Sequence, residues 1–240
     1  MDDSKSKAQK IYSLAPSEFN FLMKCAHCYW KKHNAKLQNK GTFPGVFSLF
    51  DMRQKEYFNT LKTKDITPSL PNGEVYRVID NKFLKSKVMY DNKNRPFRLQ
   101  GRADLILSLN ETGSYAIIDN KTATYDDRCE GYFTQLEAYA VMLENAEDGY
   151  PRLDPITHLG LHYFTPGAIT SHTADTINQE FTRTWHAFDR DKEVLLEEIT
   201  TALDILSEEE CPPPNCSGKC DLYISALNQI EDLKGGVERV

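Results

Sequence analysis

Two aspartates and a lysine occupy strand-forming segments at a spacing that suits metal-dependent chemistry. Asp104 lies in the segment GRADLI, and Asp119 ends the apolar run YAIID, which is followed by Asn120 and Lys121. If the polar residues 110–114 form a hairpin turn, the two segments become neighbouring strands, and Asp104 and Asp119 face each other across them. Side chains two residues apart on a strand share a face, so Lys121 lies on the same side as Asp119.

The chemistry that this trio favours is phosphodiester hydrolysis. Two carboxylates are hard oxygen ligands, which suit Mg²⁺ or Mn²⁺ better than zinc. Such an ion polarises a phosphate oxygen and lowers the pKa of an attacking water, while an ammonium group stabilises the charge that develops on the phosphate. The sequence Asp-x-Lys by itself is common and equally fits the end of an ordinary strand. An aspartate inside the apolar run ADLIL is harder to explain structurally, because burying an unpaired carboxylate is costly.

The elements that must position these residues alternate between helices and strands. Apolar residues at helical spacing predict helices over residues 13–32, 46–61, 132–144, 189–208 and 222–233. Alternating or continuous apolar runs predict strands within residues 74–90 and over 97–109, 115–119, 156–164 and 180–185. This order predicts an α/β fold with one mixed central sheet flanked by helices.

The composition is typical of a soluble globular chain. The 240 residues include 40% hydrophobic and 27% charged residues, close to the average for such proteins, and one α/β domain routinely reaches this length. A mean hydropathy of −0.55 and the lack of any apolar run near 18 residues exclude a membrane span. The first ten residues precede no apolar core of the kind found in a secretory signal, so we expect a cytoplasmic protein.

The net charge of −6 argues against a protein that coats nucleic acid, because such proteins have a basic excess. It is compatible with an enzyme that grips a few phosphates in one local groove. The sequence also contains no phosphate-binding Gly-Lys loop and no helicase motif. We therefore expect any separation of nucleic-acid strands to depend on a partner.

The six cysteines predict a metal or redox site rather than a disulfide framework. Cys25 and Cys28 form a CxxC pair near the start of the chain, whereas Cys211, Cys216 and Cys220 lie close together near its end. We expect one site that joins the two terminal segments. A set of two cysteines from each end, Cys25 and Cys28 with Cys216 and Cys220, would suit zinc or an iron–sulfur cluster. The alternative is that these are ordinary buried thiols.

Three motifs, taken together, resemble those of the PD-(D/E)XK nuclease superfamily and specifically of its RecB-like exonuclease branch. They are the segment GRADLI with Asp104, the segment IIDNKT with Asp119 and Lys121, and the helical segment QLEAY from Gln135 to Tyr139. Their order, their spacing and the types of element that carry them match the family pattern.

The resemblance covers residues 13–223 and implies one restriction-endonuclease-like domain over residues 1–240. In that domain a mixed central β-sheet flanked by helices forms a core at about residues 43–206. Two cysteine-rich segments, 13–32 and 211–223, form a clasp between the ends of the chain.

The resemblance also implies a role for each motif residue. Asp104, Asp119 and the backbone carbonyl of Asn120 would hold the metal ion, and Lys121 would be catalytic. The residues that would orient the active site or contact DNA are Gln135 and Tyr139.

The activity that the resemblance implies is that of a deoxyribonuclease dependent on Mg²⁺ or Mn²⁺. Its substrate would be single-stranded DNA or duplex ends in repair, recombination or end processing, together with a helicase or recombination partner. The alternative is a catalytically inactive module that keeps the nuclease fold and serves as a nucleic-acid-binding protein or scaffold.

The chain departs from the family pattern on the helix that precedes the sheet. RecB-like nucleases usually have a histidine there as a further metal ligand, and residues 46–61 contain none. Asp51 and Glu56 are the candidate replacements, although each is equally explained as a surface charge.

The resemblance supplies a further possibility for the cysteines. In AddB and in CRISPR adaptation nucleases, which are RecB-like, one N-terminal and three C-terminal cysteines hold a [4Fe-4S] cluster. The corresponding set in this chain would be Cys25 with Cys211, Cys216 and Cys220, although the C-terminal spacing differs from the usual family pattern.

Overall fold

The computed structural model describes residues 9–19, 25–36, 45–58, 60–76, 83–124 and 129–214. The helices in these ranges are α1 (Ala26–Asn34), α2 (Gly45–Phe58), α3 (Thr63–Ile66), α4 (Phe133–Glu144) and α5 (Lys192–Ser207). Short 3-10 turns occur at Pro16–Glu18 and Cys129–Tyr132. No helix among the described residues is long and apolar enough to cross a membrane.

The larger of two sheets contains β2 (Gly73–Val75), β6 (Leu105–Leu109), β7 (Ser114–Lys121), β8 (Ile156–His172) and β9 (Ile177–Phe188). These five strands lie side by side in that order. Only β7 and β8 are parallel among these neighbouring strands. The chain between them crosses over through α4, as a parallel connection requires.

The smaller sheet is built around β5 (Pro96–Gly101). Strand β1 (Tyr12–Leu14) pairs with it in parallel, whereas β3 (Leu84–Lys85) and β4 (Met89–Tyr90) pair with it antiparallel. The mixed α/β architecture that the sequence predicts is confirmed, but the strands are divided between two sheets. The division occurs because the chain leaves the strand conformation at residues 102–104, between β5 and β6.

Several predicted elements have different bounds in the structure. The helix predicted over residues 13–32 is wrong at its start, because Leu14 lies in β1, pairs with Leu99 and is buried. Within that range, Ala26–Asn34 form α1. Strands β8 and β9 continue well beyond the predicted residues as an exposed two-stranded arm. The apolar pattern does not reveal this arm because its side chains face solvent on both sides. The helix predicted over residues 222–233 lies outside the described residues.

Helix α4 is the element on which the two sheets converge. It contacts β5 and β3 of the smaller sheet as well as β7 and β8 of the larger one. A helix enclosed in this way must be apolar on most of its circumference. Its fully buried apolar side chains include Leu136, Ala138, Ala140, Met142 and Leu143.

A buried ionic network fixes α4 to the start of α5. The guanidinium of Arg190 donates to both oxygens of Glu137, at 2.7 and 2.8 Å, and to Glu144 at 3.0 Å. It also donates to the backbone carbonyl of Ile156 at the start of β8. The Glu137 side chain is fully buried. Glu144 also pairs with Lys192 at 2.8 Å. Because an unpaired charge is costly in the interior, the fully buried Glu137 is the glutamate that depends most on this arginine.

Replacing Arg190 with alanine should strongly destabilise the protein, because it leaves the carboxylate of Glu137 buried without a counter-ion. We expect the free energy of unfolding, measured by urea titration at neutral pH, to fall by about 3–5 kcal/mol. The control variant Lys62→Ala breaks an exposed ion pair with Glu74 and should cost less than about 1 kcal/mol. Equal unfolding midpoints for the two variants would contradict this account of the network.

Candidate active site

The hairpin of β6 and β7 brings Asp104 and Asp119 together. The ladder pairs Leu105 with Ile118, so the next position outward places Asp104 opposite Asp119. The side chain of Asp104 accepts a hydrogen bond from the backbone N–H of Asn120 at 3.2 Å. The side chain of Asn120 faces the other side of the sheet, because consecutive strand residues alternate. Only its backbone carbonyl can therefore be considered as a metal ligand at this site.

The carboxylate of Asp119 is buried, with 4% of the residue exposed. Its Oδ1 accepts a hydrogen bond from Gln135 Nε2 at 2.9 Å, and its Oδ2 lies 2.6 Å from Lys121 Nζ. The pKa of Asp119 is raised to about 6, chiefly by burial and also by the nearby charge of Asp104, against the opposing effect of Lys121. Two carboxylates that lie close together in a buried site repel each other, so a cation bound there would stabilise their ionised forms.

The predicted residues of α4 also reach this cluster. Gln135, in the first turn of α4, bridges to Asp119 and is hydrogen-bonded with Tyr139. Tyr139 is buried, and its pKa is raised by that burial and by the charges of Asp119 and Asp104. The ammonium of Lys121 also lies 4.3 Å from the ring centroid of Tyr132, a cation–π distance.

Lys55 is a site residue that the sequence reasoning missed. Its Nζ lies 3.1 Å from Oδ1 of Asp104 and 3.0 Å from Oδ2 of Asp51, one helical turn before it on α2. Burial alone would lower the pKa of Lys55, but the two carboxylates outweigh this effect and raise it. The spacing of Asp51 and Lys55 is a common surface pattern. It therefore contains no signal that the pair reaches Asp104.

The two candidate replacements for the helix histidine have different surroundings. Asp51 is linked to Asp104 through the ammonium of Lys55. Glu56 pairs with Arg53 at 2.7 Å, and its side chain is 55% exposed. Asp51 is therefore the candidate that the structure brings towards the site, and Glu56 is a surface charge.

The carboxylates fit a divalent ion of the magnesium type. No group of three or more His, Cys, Asp or Glu side chains in the described ranges has an arrangement that could hold a metal. Mg²⁺ commonly uses only one or two protein carboxylates and keeps several waters, so Asp104 and Asp119 suffice. Burial and the charge of Asp104 raise the pKa of Asp119, and such an ion would stabilise its ionised form. Asp104, Asp119 and the carbonyl of Asn120 are therefore the candidate ligands.

The described cysteines lie where the two ends of the chain meet. Cys25 and Cys28 are buried at the start of α1, and Cys211 follows α5. Cys211 Sγ lies 3.2 Å from Nδ1 of His27. The pKa of the Cys211 thiol is raised by burial, and the proximity of Cys25 raises it further.

Two hydrogen bonds strengthen this contact between the terminal segments. Trp30 Nε1 donates to the carbonyl of Glu208 at 3.0 Å, and Asn34 Nδ2 donates to that of Leu206 at 3.2 Å. The structure thus shows a contact between α1 and the end of α5, whereas the predicted cysteine clasp stays a prediction. Cys216 and Cys220 lie outside the described residues, so the cysteine ligand set stays a prediction.

Comparisons with known proteins identify a family and a similar fold. A model of the PD-(D/E)XK nuclease superfamily matches residues 52–222. Among solved structures, the crystal structure of SSO0001 superposes with a TM-score of 0.50 at 12% sequence identity, over 92% of this chain and 88% of that chain. At that identity the likeness concerns the fold alone. A search of curated proteins found no match.

Replacing Asp119 with asparagine should stabilise the metal-free protein, although this side chain lies at the centre of the site. Burial raises the pKa of Asp119 to about 6, above its value in the unfolded chain, so ionisation costs stability above that pH. In EDTA at pH 8, we expect Asp119→Asn to raise the free energy of unfolding by on the order of 1–3 kcal/mol. The gain should shrink at pH 5, where the wild-type carboxyl group is protonated.

Asp204→Asn is the matched control, for which we expect the opposite change in stability. Burial alone would raise the pKa of Asp204, but its hydrogen bonds from Lys93 and Arg95 lower it. Ionisation of Asp204 therefore supports the fold, and this variant should lose stability at pH 8. A loss of stability in Asp119→Asn under the same conditions would show that the ionised Asp119 is adequately paired without metal.

Proposed function

This chain belongs to the PD-(D/E)XK nuclease superfamily, and on that basis we propose that it is a RecB-like deoxyribonuclease dependent on Mg²⁺ or Mn²⁺. The superfamily itself implies a phosphodiester-hydrolysing nuclease. The choice of DNA, the RecB-like character and the metal are the parts that we add. The observation that carries the proposal is the position of Asp119, which accepts a hydrogen bond from Gln135, forms an ion pair with Lys121 and lies opposite Asp104.

The surroundings of each side chain indicate its role. A bound divalent ion would polarise the scissile phosphate and lower the pKa of a coordinated water. Asp104 and Asp119 would hold that ion, and Gln135 fixes the orientation of the Asp119 carboxylate by its hydrogen bond. Lys121 is partly exposed, at 22% of its side chain, so its ammonium can contact a phosphate or an attacking water. We assign to it the stabilisation of the developing negative charge.

Lys55 acts on the other aspartate. Its ammonium neutralises Asp104 from the side of α2 and holds Asp51 in the same group. We assign to Lys55 the positioning of Asp104 before an ion binds. The side chains of Lys55 and Asp104 are both partly buried, and without Lys55 the carboxylate of Asp104 would rotate towards solvent.

The proposal also includes the cellular process in which this nuclease would act. An enzyme with an acidic net charge and no helicase motif needs ends or single strands that another protein supplies. We therefore propose a role in repair, recombination or end processing beside a helicase or recombination partner.

One observation favours a different function, that of a non-cleaving nucleic-acid-binding module. Only two carboxylates converge on the site among the described residues, and the ammonium of Lys55 already lies between Asp51 and Asp104. The pairing of Asp119 with both Lys121 and Gln135 favours the enzyme, since a binding module has no need of this buried charge.

The variant Lys121→Met should strongly reduce the rate of cleavage, while the protein stays folded and still binds DNA. We expect the wild type to cut end-labelled single-stranded or duplex DNA with Mg²⁺ or Mn²⁺ and not with EDTA. The loss of the ammonium should reduce the rate by on the order of 100-fold or more, because a charge-stabilising donor is removed. Cleavage rates from gel assays and affinities measured in EDTA test both parts.

Lys93→Met is the matched control for that substitution. Lys93 pairs with Asp204 on α5, so this variant should cut at the wild-type rate. Unchanged cleavage by Lys121→Met would refute the assigned role. A folded wild type that binds DNA but cuts nothing with either metal would instead support the binding module.

We also propose that the cysteines bind a metal centre, a [4Fe-4S] cluster or zinc, that joins the two ends of the chain. The contact of Cys211 with His27 and the proximity of Cys25 support it. Protein purified without oxygen should contain either iron, with absorbance near 400 nm, or stoichiometric zinc. Cys25→Ser should lose the metal, whereas Cys129→Ser, which changes the turn before α4, should keep it. Folded wild type without either metal would contradict the proposal.

A further inference from the structure

We propose that a pocket beside α2 binds one unpaired nucleotide of the nucleic-acid substrate. The identification of the ligand as part of a nucleic acid rests on the proposed function. The pocket has a volume of about 530 Å³, which is within the usual range for small-molecule sites. It lies between α2, the segment that contains Asp65, and strands β8 and β9.

Five of the ten residues that line the pocket are aromatic. Phe50 of α2 and Phe181 of β9 stack with their ring centroids 4.8 Å apart and an interplanar angle of 27°. Phe58 and Phe164 form its buried side, and Tyr57, which is 63% exposed, lies at its edge. Aromatic surfaces of this kind accept the flat face of any base, which makes the binding tolerant of sequence.

Gln54 supplies a polar group in this apolar pocket. It is only 8% exposed, it lines the pocket, and its Nε2 is buried without a hydrogen-bond partner among the described residues. A buried amide donor without a partner is costly, so its retention points to an acceptor that arrives with a ligand. The edge of every nucleobase carries such acceptors.

Two arginines at the pocket match the charge of a nucleotide. Arg53 is exposed and pairs with Glu56, and Arg183 donates to the backbone carbonyl of Asp65 at 3.2 Å. A guanidinium has five N–H donors, so each arginine keeps donors for a phosphate. The carboxylate of Asp65 accepts a hydrogen bond from the backbone N–H of Lys62.

Helix α2 contributes residues both to the pocket and to the candidate active site. Lys55 faces Asp104, whereas Gln54, about 100° away around the helix, faces the pocket. The pocket and the carboxylates therefore lie against neighbouring faces of one helix, which is about 10 Å across. A single strand with a phosphate at Asp104 can reach over α2 and place a nearby base in the pocket.

The test measures the binding of single-stranded oligonucleotides in EDTA, where no metal-dependent cleavage occurs. The oligonucleotides have one sequence, and each lacks the base at a different position. In the wild type, the loss of one particular base should weaken the affinity about tenfold, as expected for a base stacked on aromatic rings. In Gln54→Leu, affinity for the intact strand should fall at least threefold, and the penalty at that position should shrink.

Two further measurements separate this role from a structural one. Gln54→Leu should be as resistant to urea as the wild type, because leucine removes an unpaired buried donor. Arg183→Gln should reduce the slope of log affinity against log salt by about 0.7, the contribution of one phosphate contact on a single strand. The control Gln179→Leu, on the exposed arm, should leave the affinity and the position of the penalty unchanged.

The failure of this proposal is distinguishable from that of the nuclease. Equal affinities of Gln54→Leu and wild type for every oligonucleotide, or the absence of any position-dependent penalty, would overturn the nucleotide pocket even if the protein cuts DNA. The pocket would then be assigned to an apolar segment of a protein partner. A position-dependent penalty that Gln54→Leu abolishes supports the pocket even if no cleavage occurs.

Discussion

The carboxylate of Asp119 links the sheet, helix α4 and Lys121 in one arrangement. Each of its oxygens is engaged, one by Gln135 from α4 and the other by Lys121 from its own strand. Because a buried charge must be paired, the position of α4 on the sheet and the conformation of Lys121 are determined together. The residual cost, visible as the raised pKa of Asp119, is the electrostatic demand that a divalent ion would meet.

Helix α4 must satisfy two different electrostatic requirements at once. Gln135 in its first turn faces Asp119, while Glu137 and Glu144 face Arg190. The rest of its surface is apolar and packs against both sheets, which gives little directional preference to its rotation. These polar contacts at separate positions along the helix therefore define how α4 is oriented, and with it the geometry of the site.

Helix α2 lies beside both the candidate active site and the aromatic pocket and contributes residues to each. One side offers Asp51 and Lys55 to Asp104, and the other contributes Gln54 and Phe50 to an aromatic pocket. The nearby arm of β8 and β9 completes the pocket through Phe181. Residues 165–182 of this arm contain no lysine or arginine that could bind a phosphate backbone. The cationic side chains that line the pocket are Arg53 and Arg183.

The amino-acid sequence by itself determined the meeting of Asp104, Asp119 and Lys121. Their positions follow from local rules, a short turn between two strands and a side-chain period of two. The helix with Gln135 was also predictable from local spacing, as was the mixed α/β class. The prediction of a single strand over residues 97–109 was wrong. The alternation of apolar and polar residues continues through residues 102–104, where the backbone leaves the strand conformation.

Only the tertiary structure decided which distant charges meet. Lys55 reaches Asp104, Arg190 reaches Glu137, and Cys211 reaches His27 across 184 positions of the chain. No local period records such pairs, because they depend on how helices cross a sheet and on which charged groups are excluded from water together. For the same reason, the pocket beside α2 becomes visible only once the strands of the arm pack against that helix.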